Sequence, residues 1–343
     1  MADAVYQVGP AASSTHAHYY PDWHAAMQDA VTDPDELCSL LSLPPEVAAS
    51  AARAVNQFAL LVPRTYLARI RPTDPNDPLL LQILPKGEEA DNVAGFTSDP
   101  VGELHAAQDA GWLCKYTGRL LMLTNAACAV HCRFCFRRHF PFSGEDPAKR
   151  WEAALERIAS DAAIHEVILS GGDPLTLEDA LLAELAQRIA AIGHVRRLRI
   201  HTRLPIVIPQ RVCDELLEWL SGGRLTAVMV VHVNHPAELD GPTSAALGRL
   251  VDAGVPVYSQ SVLLCGVNDQ VEVLADLFER LADLRVKVYY LHQLDRVAGG
   301  AHFEVPVERG IAIMRELQAR LPGYAVPRYV KEIPGRPNKV VLA

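Results

Sequence analysis

Three cysteines fall within eight residues of this 343-residue chain, as Cys128-Ala-Val-His-Cys132-Arg-Phe-Cys135. Thiolates are the standard protein ligands of iron–sulfur clusters, and a loop with Cys-x3-Cys-x2-Cys spacing can wrap three corners of a cubane. The fourth iron would then lack a protein ligand, and an open coordination position marks catalytic metal sites in general. The same thiols could hold a zinc ion completed by a distant side chain such as His131 or His139. A disulfide fits less well in a chain long enough to bury its own core. The remaining cysteines, Cys38, Cys114, Cys213 and Cys265, are scattered and are expected to be buried, inert thiols.

A second candidate is Ser170-Gly171-Gly172-Asp173-Pro174, which ends an apolar run. Glycines at such a point let the backbone come close to a ligand.

These residues need elements to position them. From about residue 116 onward, apolar and β-branched runs recur: Arg119 to Asn125, Glu166 to Ser170, Leu198 to Arg203, Thr226 to Val233, Val255 to Leu264 and Val286 to Leu291. They are continuous, as expected of strands buried on both faces. Amphipathic helical stretches lie between them. One carries Trp151, Leu155 and Ile158 on a face, and another carries Leu181, Leu185 and Ile189. Others start near Pro209, Pro242, Gln270 and Pro306, where proline suits a first helical turn. Six βα units imply an α/β fold with a parallel sheet, either a partial barrel or an open doubly wound sheet. Ligands of both sit at the C-terminal ends of the strands.

Residues 1–115 differ in rhythm. Asp33-Pro34-Asp35-Glu36 reads as a helix start, with apolar residues at helical spacing through Leu41 and again from Val47 to Leu61. The stretch from Arg71 to Pro78 holds three prolines and two aspartates and is expected to be a loop. The expected organisation is an N-terminal helical region with a long loop (1–115), a barrel (116–330) and a short closing segment (331–343).

With 32 Lys+Arg against 41 Asp+Glu, the net charge is −9. An acidic balance argues against a nucleic-acid or anionic-membrane partner. No leader of basic residues followed by an apolar run is read at the N-terminus, and no uncharged run reaches the roughly 18 residues needed to span a bilayer. A cytoplasmic protein is expected.

The cysteine motif after the first strand, together with the Ser-Gly-Gly-Asp-Pro segment, resembles the radical S-adenosylmethionine (SAM) superfamily. The segments KYTGRLLMLTNAACAVHCRFCFRRHF, SGGDPL, HVNHP, SQSVLLCGVND and YYLHQLD narrow this to a resemblance to the lysine 2,3-aminomutase family. Within it the chain looks most like the short branch whose (R)-β-lysine is attached to elongation factor P by a separate lysyl ligase. The chain stops four residues after Lys339, and Gln270 stands where longer relatives carry a zinc ligand.

The resemblance implies a (β/α)6 partial barrel of radical SAM type that holds a [4Fe-4S] cluster on Cys128, Cys132 and Cys135. It implies SAM at Ser170, Gly171, Gly172 and Asp173, with His232 and Gln260 contributing. A pyridoxal 5′-phosphate (PLP) imine is implied at Lys339, with the phosphate on Lys115, Tyr116 and Arg119. Lys115 stands where the family has an arginine, so a fork becomes a point charge. Arg137 would pair the carboxylate of L-lysine, and Asp295 and Glu332 its ε-ammonium. The implied reaction is isomerisation of L-α-lysine to (R)-β-lysine, driven by an external electron-donor reductant. Two other readings stay open: a radical SAM enzyme that consumes SAM on another amino acid, and a non-catalytic iron–sulfur protein.

Overall fold

The computed structural model describes residues 20–104, 111–142 and 147–343. Among the described residues, nine strands form one sheet whose spatial order follows the chain. They are β1 (Trp112–Leu113), β2 (Arg119–Asn125), β3 (Glu166–Gly171), β4 (Arg197–Thr202), β5 (Thr226–His232), β6 (Val257–Leu263), β7 (Lys287–Gln293), β8 (Arg328–Lys331) and β9 (Val340–Val341). Strands β2 to β8 run parallel, and β1 and β9 pair antiparallel at the two edges. Helices connect the parallel strands, and the sheet is open between β1 and β9: the architecture is a partial barrel.

All six expected strands are present. The structure adds β8 as a seventh parallel strand, and the two edge strands. These are four residues or fewer, too short to show a period, and β8 reads Arg-Tyr-Val-Lys, charged at both ends.

The strands are not all buried on both faces. β4 and β6 alternate between buried and half-open residues. In β4, Leu198 and Ile200 pack into the hydrophobic core, while Arg199 and His201 face a central cavity. In β6, Gln260 and Val262 face the same cavity. This is the period-two signature of a sheet with one wall on a core and one on a ligand space. In the helix Asp179–Ala191, the buried residues are Leu182, Leu185 and Ile189, whereas Leu181 is 43% exposed. The apolar stripe therefore begins one residue later than expected.

At the N-terminal end, Asp33 caps the helix Pro34–Leu40, accepting from the backbone of Asp35 and Glu36. The next helix, Pro45–Ala54, stops well short of Leu61. The carbonyls of Phe58, Ala59 and Leu61 are instead given to the cysteine loop. Tyr66, Leu79 and Ile83 share one hydrophobic core with the barrel helices. Among the described residues, no helix is long and apolar enough to cross a membrane.

Candidate active site

A cavity of about 310 Å³ opens on the inner face and C-terminal ends of the parallel strands, a volume within the range of small-molecule sites. Every site residue named from the sequence lines it except Arg119. Arg119 begins β2 on the same face as Leu121, one strand repeat further from the C-terminal end. Its guanidinium lies over the Tyr116 ring, 5.3 Å from the centroid.

The cysteine loop leaves the end of β2 and is fastened by the N-terminal region. The His131 amide donates to Leu61 O and the Arg133 amide to Gln82 O, each at 2.9 Å. Arg133 and Arg138, both fully buried, share the carboxylate of Glu89 at 2.6 Å and cover the Phe58 ring. Breaking such a buried arrangement strands a charge, so it is rigid. It leaves Cys128, Cys132 and Cys135 facing the cavity as free thiols. Burial pushes the Cys128 thiol well above its ordinary value and that of Cys135 up to about 11, with neighbouring sulfurs adding to both. The thiols of Cys128 and Cys135 therefore ionise only if cations arrive with them, which is what iron supplies.

The two histidines of the zinc alternative each give a ring nitrogen to a backbone carbonyl: His131 Nδ1 to Ala59 at 2.9 Å, His139 Nε2 to Ala298 at 3.0 Å. Among the described residues, no three His, Cys, Asp or Glu side chains converge so as to hold a single ion. Of the four other cysteines only Cys38 is buried; Cys114 and Cys265 are exposed and Cys213 is half-buried. Cys114 follows the short edge strand and Cys265 lies in a surface loop, so neither enters the core.

The glycines of the Ser170–Asp173 segment serve the chain itself. A Cβ on Gly171 would stand 2.6 Å from Asn125 O, and one on Gly172 would stand 2.2 Å from Ala127 O. Gly171 also takes φ +121°. The segment is laced to the start of the cysteine loop by Gly172 N to Asn125 O at 2.9 Å and Asp173 N to Ala127 O at 2.7 Å. The Asp173 carboxylate is buried, which raises its pKa. It accepts from Thr202 Oγ1 and from the amides of Leu175, Arg203 and Leu204. That side chain ties β3 to the end of β4.

On the far wall, Glu332 follows β8. It accepts from Tyr116 Oη at 2.7 Å and from Lys339 Nζ at 2.5 Å, with Lys115 Nζ at 3.8 Å. Burial works to raise its pKa, but Lys339, Tyr116 and Lys115 more than offset this and hold it below its ordinary value. Lys339 reaches Glu332 because the chain turns at Gly335, φ +76°, and returns as β9 on β8. Arg336, Pro337 and Asn338 take no positive φ, so the turn needs only that one glycine. Asp295, beyond β7, is pushed up to about 7 by burial.

Among the described residues, five charged or histidine residues of the cavity went unassigned in the sequence. Glu103 pairs with Arg137 and Lys115. Arg199, His201, Arg203 and His292 lie on or just after the inward faces of β4 and β7. Burial drives His201 and His292 well below their ordinary values, and His232 to about 3, so all three are neutral. His232 and Gln260 are direct register partners on β5 and β6. Period-two counting from Gln260 along each strand could have marked His201 and His292.

Among the described residues, four buried polar atoms around the cavity have no hydrogen-bond partner: Arg199 Nε, His201 Nε2, Arg203 Nε and His232 Nε2. Buried polar groups are normally satisfied, so these atoms fit a polar ligand. Lys115, Tyr116 and Arg199 line the cavity with donors that suit a phosphate, and Lys339 lines it with an amine. The residues present therefore fit the cluster, SAM and PLP.

Residues 122–238 match the radical SAM superfamily. The class is thus a radical SAM enzyme, which uses a [4Fe-4S] cluster and SAM. The chain is 44% identical over 323 residues to L-lysine 2,3-aminomutase of Escherichia coli (strain K12), covering 94% of each chain. It is 42% identical to the Haemophilus influenzae protein of that name, covering 94% of this chain and 96% of that one. It is 35% identical to that of Clostridium subterminale, covering 93% of this chain and 77% of that one. The chain belongs to the lysine 2,3-aminomutase family and is an isomerase.

Proposed function

We propose that the protein converts L-α-lysine to (R)-β-lysine with PLP on Lys339, and that the product serves β-lysylation of elongation factor P. The observation that carries the first part is the charge layout of one cavity. It holds a guanidinium, Arg137, for a carboxylate, and two carboxylates, Asp295 and Glu332, for a distal ammonium. A buried cation requires such paired charge.

The cluster and SAM supply hydrogen-atom abstraction from an unactivated carbon, and PLP supplies a π-system for the migrating nitrogen. The chain's own part is placement. Arg137 and the acidic pair fix the two ends of the substrate, which sets the carbon presented to the reacting centre. Lys115, Tyr116 and Arg199 hold phosphate, with Arg119 supporting the Tyr116 ring. Neutral His201, His232 and His292 offer hydrogen bonds without adding charge. Partial barrel and helical region act as one scaffold, the latter gripping the cysteine loop. Free thiol ligands suit a reducing, cytoplasmic setting, and an electron donor must reduce the cluster.

The test is turnover of lysine, glutamate and ornithine side by side, with reconstituted protein, SAM, PLP and a reductant. β-Lysine formed in excess of SAM consumed is expected. SAM cleavage without β-lysine would refute the reading. The elongation factor P role rests on the sequence resemblance. It is tested by adding the factor and its lysyl ligase and measuring a β-lysyl mass increase that depends on this protein.

A further inference from the structure

Arg203 follows β4, and neither the sequence motifs nor the reaction assigns it a task. Its side chain is 6% exposed. Nη1 lies 2.6 Å from the Cys132 sulfur. Nη2 donates to Gln82 Oε1 at 2.7 Å and to Glu238 Oε1 at 3.0 Å. The guanidinium is also set against the rings of Tyr66 and Phe134, 5.6 Å from each centroid. Its backbone amide donates to Asp173 Oδ2 at 2.6 Å.

Both terminal nitrogens of this guanidinium are therefore taken up by the protein, and Nε alone is left without a partner. Glu238, fully buried, is the counter-charge, and it also accepts from Gln82 Nε2 at 2.8 Å and from the Asn234 amide at 3.3 Å. A fixed cation donating to a ligand sulfur stabilises the added negative charge of a reduced cluster more than it stabilises the oxidised one. Hydrogen bonds to sulfur and local charge are among the protein's means of setting cluster potential.

We propose that Arg203 is a positioning residue that holds the Cys132 sulfur and raises the reduction potential of the cluster, with Glu238 tempering its charge. Asp173 then acts at a distance: it anchors Arg203, and Arg203 meets the cysteine loop. The inference rests on the assignment of Cys128, Cys132 and Cys135 as cluster ligands.

The test is anaerobic reconstitution of wild type, R203Q, R203K and E238Q, with iron and sulfide content and electron paramagnetic resonance measured before anything else. A wild type without a cluster would sink the ligand assignment itself. Given a cluster, a potentiometric titration follows. R203Q is expected at a more negative potential than wild type, R203K between the two, and E238Q at a less negative one. Equal potentials for wild type and R203Q at equal iron content overturn the proposal. If R203Q does not retain its cluster, E238Q decides: an upward shift supports the proposal and an unchanged potential overturns it.

Discussion

Glu103 and Arg137 form a two-point ion pair inside the cavity, Nε to Oε2 at 2.7 Å and Nη2 to Oε1 at 3.1 Å. The third nitrogen of Arg137, Nη1, donates to Ser170 Oγ at 2.9 Å. An incoming carboxylate that seeks Arg137 in the same two-point fashion meets Glu103 already in place. E103Q is expected to lower the KM for lysine by about tenfold, which corresponds to about 1.4 kcal/mol. A raised KM would instead mean that Glu103 orients Arg137 for the substrate.

Lys339 is the expected PLP amine, and Glu332 holds it through a 2.5 Å contact. K339A is expected to lose the visible absorbance of bound PLP and all β-lysine formation, while its iron content stays at the wild-type level. Retention of the band would assign PLP to another lysine. E332Q should keep the band and lose affinity for lysine.

Asp295 gives a pH signature. Its carboxyl, pushed by burial to about 7 from an ordinary 3.8, must ionise to receive an ammonium. Lysine affinity should therefore rise as pH rises toward 7 and level above it, and D295N should abolish that rise. The stability effect has the opposite sense. An acid raised on folding penalises the folded protein as pH climbs through 3.8 to about 7, because the unfolded chain loses the proton first. D295N is thus expected to raise Tm at pH 8 and to leave it nearly unchanged at pH 4. An equal Tm gain at both pH values would refute the assignment.

Glu89 carries two buried guanidinium groups at once, Arg133 and Arg138. E89A removes their shared partner and leaves two uncompensated cations beneath the cysteine loop. A loss of about 3–5 kcal/mol is expected, measured by chemical denaturation, together with lower iron content after reconstitution. Wild-type stability in E89A would show that the guanidiniums find other acceptors.

The parts legible in the sequence were those whose signal is local. Three cysteines in a loop, two glycines before Asp173 and six apolar runs each declare themselves within a few residues. Lys115, Tyr116, Asp295, Glu332 and Lys339 come from three separate segments, and resemblance alone joined them before the structure placed them on one cavity. What stayed hidden is made by pairing. Glu103 looks like any surface acid until the fold turns it onto Arg137. Arg199, His201 and His292 gain their meaning from strand alternation around a ligand space, which a single run of apolar residues does not reveal. Arg203 ends an ordinary apolar run, and its partners Cys132, Gln82 and Glu238 lie far away in the chain. The glycines of the Ser170–Asp173 segment line the cavity, and the fold adds a second demand on them, the close approach of Asn125 and Ala127.

The sheet is laid down in the order in which the chain is read, from β1 through β9 without a strand ever inserted between two earlier ones. Each new strand can dock on an edge already present, so the barrel can grow while the ribosome is still extending it. The cysteine loop is available early, after β2 has been made. The amine that completes the cavity arrives only when the chain folds back over β8. During synthesis the nascent protein thus passes through a stage with its thiols in place and its lysine still absent.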